Sequence, residues 1–195
     1  MRKTLVVAGV LCLVIGAGLL ALLVTVDWGS SSARSSLMGD IDRHFIEQMI
    51  PHHEDAVAMA ELALAIAEHA ELRELAQAIK TTQSQEIEQM RSWYEAWYGV
   101  RVPDDLLDRG SGMMGLGMGR MTDFADLQAL QAAQSFDREF IEQMVPHHQM
   151  GVMMAQMVLP GSDREEIRSL ARSIIGTQSD EIDMMRDWYQ DWYGG

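Results

Sequence analysis

Cysteine is almost missing from this chain of 195 residues, where Cys12 stands alone. One thiol excludes an intrachain disulfide and a thiolate metal cluster. Positive charge is scarce too, with 15 Lys and Arg against 29 Asp and Glu and a formal charge of −14. Arg2 and Lys3 are the only charged residues before Asp27, so the rest of the chain is more acidic than the whole. Such a surface repels nucleic acid and anionic lipid and attracts cations. Proline occurs only four times, which leaves long helices open. Nothing resembles a nucleophilic triad, a phosphate loop or a nucleotide fingerprint.

Ala, Leu, Glu, Gln and Met are abundant and favour helix. Hydrophobic residues make up 48% of the chain, enough for a real core. Sixteen methionines are several times ordinary usage, and that excess needs a cause.

From Thr4 to Val26 the chain is uncharged and apolar. A signal-peptide core is about 7–15 residues, whereas a membrane-spanning helix needs roughly 20. No A-x-A cleavage pattern follows; the chain passes to Asp27, Trp28 and a serine-rich spacer. Residues 1–26 are therefore expected to be an uncleaved signal anchor, one transmembrane helix with Arg2 and Lys3 on the cytoplasmic side. Everything beyond faces outward, in a periplasmic or extracellular space. Secretion after signal cleavage is the alternative.

The dominant signal is a duplication. Asp42-Arg43-His44-Phe45-Ile46-Glu47-Gln48-Met49-Ile50-Pro51-His52-His53 returns as Asp137-Arg138-Glu139-Phe140-Ile141-Glu142-Gln143-Met144-Val145-Pro146-His147-His148. The offset of 95 holds without a gap to Gly99 and Gly194, with more than half of the aligned positions identical. Each copy reads as two helices. Phe45, Met49, His52, Ala56, Met59, Ala63 and Ile66 form one helical face, and Ile46, Ile50, His53, Val57, Ala60 and Leu64 an adjacent stripe. Asp42 and Asp137 are expected N-caps. Pro160-Gly161-Ser162-Asp163 breaks the second copy, which places the first turn near Ala65 to Glu68.

A single hairpin cannot bury its wide apolar face, so the pair predicts an all-α fold, an antiparallel four-helix bundle. The expected layout is anchor 1–26, spacer 27–40, first hairpin 41–99, Gly/Met-rich loop 100–121, then a short helix and the second hairpin in 122–195. Residues 41–195 would be one domain. The short helix is expected over Asp123 to Gln134, capped by Thr122.

Pro51 and Pro146 fall inside the first helix of each copy, where proline removes a backbone hydrogen bond and kinks the chain. A His-His pair follows on otherwise apolar stripes. Met49 lies one turn before it and Met59 two turns after His52, while Met144, Met150, Met153, Met154 and Met157 crowd the second copy. A turn near residue 66 puts His52 and His53 opposite Thr81 to Gln83, and Met49 opposite Ser84 to Glu86. Met49, His52, His53, Gln83 and Glu86 should thus converge within about one turn.

Plainer roles exist for each group. A methionine stripe fills core gaps, and one inward histidine bonded to a carboxylate is commonly structural. Two adjacent histidines behind a proline, in both copies and beside methionine, point instead to a metal. Only Glu86 and Gln83, or Glu181 and Gln178, are placed to satisfy the imidazoles. The Trp-Tyr-x-x-Trp-Tyr ends read as bundle caps. His44 and His69 lack a counterpart in the second copy and read as surface residues. The Met113/Met114/Met118/Met121 loop is equally ligand or linker.

The pattern Asp-x-x-Phe-Ile-x-x-Met-Ile/Val-Pro-His-His, then Ala/Gly-Val-x-Met-Ala and Gln-x-x-Glu-Ile-x-x-Met, resembles the domain of unknown function 305 family over about residues 38–195. The resemblance implies a ferritin-like four-helix fold and, for members with a role, periplasmic copper binding and tolerance through Met and His. Matching positions are Met49, His52, His53, Met59 and Met90, then Met144, His147, His148, Met154 and Met185. The long anchor departs from that pattern.

Softness favours copper independently, because thioether suits Cu(I) and imidazole serves both Cu(I) and Cu(II). Outside the cytoplasm thiols oxidise, which leaves methionine as the usable sulfur. With Glu86 and Glu181 added to those matched positions, the expectation is a copper ion held by Met and His and no enzymatic activity. The expected role is copper sequestration, tolerance or homeostasis. Expected partners are the metal, the membrane through the N-terminal helix and a copper-handling protein. One alternative is a metal-free helical interaction module at the membrane. A ferritin-like di-metal oxidase is another, weakened because no glutamate precedes either His pair by three residues.

Overall fold

The computed structural model describes residues 41–103 and 125–194. The expected anchor and spacer, and the Gly/Met segment from residue 104, lie outside them. Every regular element among the described residues is helical: α1 (41–66), α2 (Ala70–Tyr98), α3 (Leu127–Ala132), α4 (Phe136–Val158) and α5 (Glu165–Tyr193). None of these helices is long and apolar enough to cross a membrane.

The two hairpins, α1–α2 and α4–α5, pack head to tail. Asp137 at the start of α4 accepts hydrogen bonds from the backbone N–H of Glu68 (3.0 Å) and His69 (2.8 Å) in the turn of the first hairpin. Its repeat mate Asp42 faces the turn of the second hairpin, where Ser162 hydrogen-bonds it and Arg164 lies 3.3 Å away. Each hairpin's open end therefore sits on the other's closed end. Neither aspartate caps its own helix as expected. Ser135 holds the N-cap position of α4, and Asp137 is drawn across the bundle by otherwise unmatched turn amides, Asp42 by the Arg164 guanidinium.

That arrangement splits the core in two. One cluster joins the closed end of the first hairpin (Met59, Ala63, Leu72, Ile79) to the open end of the second (Phe136, Phe140, Met144, Met185). The other joins Phe45, Ile46, Met49, Met90 and Tyr94 to Val158, Ile167, Leu170 and Ile174. Each cluster needs both hairpins, because neither stripe closes on itself. Ile66, assigned to the buried face, is 38% exposed because α1 ends there.

The short helix differs from its expected form. It covers Leu127–Ala132 and is capped by Asp126, whose side chain accepts from Ala129 N–H; Thr122 lies outside the described residues. Leu130, fully buried, fastens it over the first cluster. The aromatic ends do cap the bundle. Trp93 stacks on Trp97 and Trp188 on Trp192, each pair with planes 9° apart. Gly99 ends α2 at φ 70, a left-handed conformation that glycine adopts without strain, and its N–H reaches Glu95 O.

Candidate metal centre

Between the two apolar clusters lies a polar layer. His52, His53, Gln83, Glu86, His147, His148, Gln178 and Glu181 are all buried there, and His53 and His148 are fully so. α1 and α4 stay helical through Pro51 and Pro146, so each His pair points inward from an unbroken helix. The rings of His52 and His147 lie 3.8 Å apart between centroids, tilted by 32°. Gln83, Glu86, Gln178 and Glu181 line one small pocket between α2 and α5 together with Thr82 and Thr177. Repeat mates thus face each other across a pseudo-two-fold axis.

The register differs from the expected one. His53 Nε2 meets Glu86 Oε2 at 2.8 Å, and His148 meets Glu181 at 2.7 Å, so His53 is not level with Thr81 to Gln83. The turn takes up Ala67 to His69 outside either helix. Each Cβ also leans toward its own helix N-terminus. In an antiparallel pair, contacting side chains therefore come from α2 positions further from the turn than a symmetric count gives.

Hydrogen bonding assigns the ring nitrogens. His53 donates Nε2–H to Glu86 and His148 donates Nε2–H to Glu181, while His52 donates Nε2–H to the backbone oxygen of His147 at 3.0 Å. A carbonyl or carboxylate can only accept, so Nδ1 keeps the lone pair in each neutral ring. The Nδ1 atoms of His53 and His148 are buried without a hydrogen-bond partner. Imidazoles oriented through one nitrogen and open at the other have the form of metal ligands with carboxylate support. Glu86 and Glu181 orient these imidazoles, each with one oxygen committed to a histidine.

Electrostatics keeps the inner pair neutral. Burial, then the neighbouring His53, pushes His52 down to about 3. Burial, then His52, holds His147 well below its usual value. Proton competition for these nitrogens is thus displaced to acid pH.

The thioethers regroup. Met49 and Met90 lie in one cluster, with Met154 of the other hairpin packed against it. Met144 and Met185 lie in the other, joined there by Met59. Sequence reasoning set Met59 with the first copy and Met154 with the second; head-to-tail packing exchanges them. Three methionines thus belong to each apolar cluster flanking the layer. Met153 and Met157, counted among the crowd near the histidines, stand 42% and 62% exposed on the outer face of α4. His44 is exposed, with Gln48 as partner. His69 is not a plain surface residue, since it stacks on Trp192 at 3.6 Å and bonds Asp137.

Among the described residues no three His, Cys, Asp or Glu side chains converge as ligands on one point. An ion in this layer would have to complete its coordination with thioether or amide donors. The residues fit a soft cation better than a hard one.

Known proteins carry the same frame. A family model described as domain of unknown function (DUF305) matches residues 42–189. The chain belongs to this family. No curated protein matches it. Among solved structures, CopM in the Cu(II)-bound form is 49% identical with a TM-score of 0.69, covering 78% of this chain and 97% of its own. CopM in the Cu(I)-bound form is 47% identical with a TM-score of 0.67, over the same shares of the two chains. A DUF305 fragment from Deinococcus radiodurans is 27% identical with a TM-score of 0.60, covering 75% of this chain and 93% of its own. The DUF305 pattern thus spans both His pairs of this chain and the helices that present them.

Gly151 escaped the sequence reading as a site feature, whereas Gln178 was expected as an imidazole partner and instead has its amide uncommitted. The available signal was the Ala56/Gly151 difference inside an otherwise matched motif.

Proposed function

We propose that this chain binds copper through the His/Met layer, on the outer side of the cytoplasmic membrane, and contributes to copper sequestration, tolerance or homeostasis. The observation that carries the reading is the layer itself. The buried imidazoles of His53 and His148 are oriented through Nε2 with Nδ1 turned to no hydrogen-bond partner, and methionines belong to the apolar clusters on both flanks. Support comes from CopM, crystallised in Cu(I)-, Cu(II)- and Ag-bound forms. His52, His53, His147 and His148 would hold the ion, with thioethers from Met49, Met90 and Met154 or from Met144, Met185 and Met59. Glu86 and Glu181 fix the imidazoles. Copper is here a cargo, and the chain is read as a binding protein and not an enzyme. The outward placement rests on Arg2, Lys3 and the apolar run that follows them.

The test is metal titration of the purified full-length chain. Cu(I) is expected to bind far above Zn(II), because thioethers contribute little to zinc. Met49→Leu with Met144→Leu keeps volume and apolarity, so stability should change by less than about 1.5 kcal/mol while Cu(I) affinity falls. Equal Cu(I) titrations for the wild type and the variant with all four histidines changed to Gln would reject the site.

A further inference from the structure

The repeats match at every donor of the polar layer, but not at the backbone beside it. Position 56 is Ala in α1, and its mate 151 is Gly in α4. A β-carbon placed on Gly151 would lie 2.4 Å from Gln178 Oε1, 3.2 Å from Gln178 Cδ and 3.1 Å from His52 Cε1. The Gln178 carbonyl therefore fills the space that a methyl takes in the first copy. Cε1 lies between the two ring nitrogens, so this amide and the nitrogen-bearing edge of His52 flank the same missing side chain. His52 itself reaches α4 beside the same gap, donating to the His147 oxygen one turn before Gly151. Gln178 is 2% exposed, and neither Oε1 nor Nε2 has a hydrogen-bond partner. Buried amides are costly without one. This one lies at the Gly151 gap that an imidazole edge also lines, with its oxygen uncommitted.

We propose that Gln178 is an oxygen donor to an ion held at His52, and that Gly151 admits it, so the two halves of the layer differ in preference. The His52–Gln178 half takes Cu(II), which accepts mixed nitrogen and oxygen ligands. The His147–Gln83 half, where Ala56 carries the methyl, takes Cu(I) with thioether. The proposal rests on the copper-binding reading above.

The experiment compares the full chain with Gly151→Ala, Gln178→Leu and Ala56→Gly. Cu(II) is added as its sulfate and Cu(I) as its bicinchoninate complex, with affinity by competition and Cu(II) ligands by electron paramagnetic resonance. Gln178→Leu and Gly151→Ala should each lower Cu(II) affinity about tenfold or more, roughly 1.4 kcal/mol per decade, and leave Cu(I) nearly unchanged. Ala56→Gly should add Cu(II) capacity at the other half. Imidazole nitrogen-15 shifts of the metal-free protein give a copper-independent readout. His52 should carry its proton on Nε2 in the wild type and in Gln178→Leu, and move in Gly151→Ala. Should Gly151→Ala fail to fold, Gln178→Leu decides. Copper binding indifferent to Gln178→Leu, or Cu(I) and Cu(II) weakened equally, would overturn this proposal alone. No copper uptake by the wild type in either state would overturn it together with the copper reading.

Discussion

At the polar layer the two repeats are nearly interchangeable, with the same His-His pair, the same Gln and Glu on the partner helix and the same flanking Met. At the turns they are not. Asp137 gathers two backbone N–H groups and the His69 ring, whereas Asp42 meets Ser162 and Arg164. Beside the layer, Ala56 faces Gly151 in the alignment. Identity has been kept where histidines, amides and carboxylates must fit one another across the pseudo-two-fold axis. Difference has accumulated where either of two solutions closes a helix end or fills a gap. Both hairpins build the polar layer together, and each turn is closed by its own set of partners.

The largest expected effect tests that sharing by acidification. His52 and His147 are both held below the ordinary imidazole value of 6.5 in the fold, His52 down to about 3. Below pH 6.5 the unfolded chain takes up protons that the folded chain refuses, so stability must fall as pH drops from 6.5 toward 3. Each such group contributes about 1.4 kcal/mol per pH unit over that window. Urea midpoints between pH 7 and pH 4.5 should therefore decline steeply. His52→Gln or His147→Gln alone should remove part of the slope, and the double variant nearly all of the layer's share. A slope untouched by the double variant would show that these rings are not buried neutral. Copper binding should correspondingly persist through pH 6.5 and fail only in stronger acid.

Next in size is the contrast between the two aspartates. Asp137→Ala strips a buried carboxylate from two backbone donors and a ring N–H, an expected loss of about 3 kcal/mol. Asp42 is different because burial outweighs Ser162 and Arg164, leaving its carboxyl above the ordinary range. Its charged form is a burden in the fold, so Asp42→Ala should cost nearer 1 kcal/mol. Denaturant midpoints for the two variants at neutral pH measure the difference. Equal losses would mean that the two turns are closed equally well after all.

Helical spacing, the gapless offset and the His-His pairs made the hairpins and the polar layer legible from residues alone. What stayed hidden was direction. Periodicity says which face of α1 is buried but not that the second hairpin lies head to tail on the first. That direction decides that Met59 sits with Met144 and Met185, and that Asp42 and Asp137 reach across the bundle. The approach of His53 to Glu86 was legible, but its exact offset was not, since that depends on the length of the turn and the lean of Cβ atoms. Gly151 was visible as a letter, but its use is visible only once Gln178 and His52 are seen to fill its missing side chain.

The smallest expected effect concerns positions 69 and 164, repeat mates of different chemistry in the same place. His69 lies flat on Trp192, 3.6 Å between centroids and 6° from parallel, with Nδ1–H donated to Asp137 at 2.6 Å. Arg164 sits 4.1 Å above the Trp97 ring, with Nε 3.3 Å from Asp42. Both residues cover the terminal Trp of the opposite hairpin, one by stacking and one by cation–π attraction, and both contact a buried carboxylate. Such contacts at half-exposed sites are worth about 0.5–1 kcal/mol. His69→Arg offers the guanidinium that already serves at position 164, so stability should stay within about 1 kcal/mol of wild type. His69→Ala removes the ring and the donor together and should lose more, with Trp192 emission shifting to longer wavelength as water reaches the indole. Measured by denaturant midpoint and tryptophan fluorescence, the order Arg above Ala is the decisive result. If His69→Arg proved as damaging as His69→Ala, the two turns would not be alternative solutions to one packing problem. The imidazole of His69 would then be required by its shape.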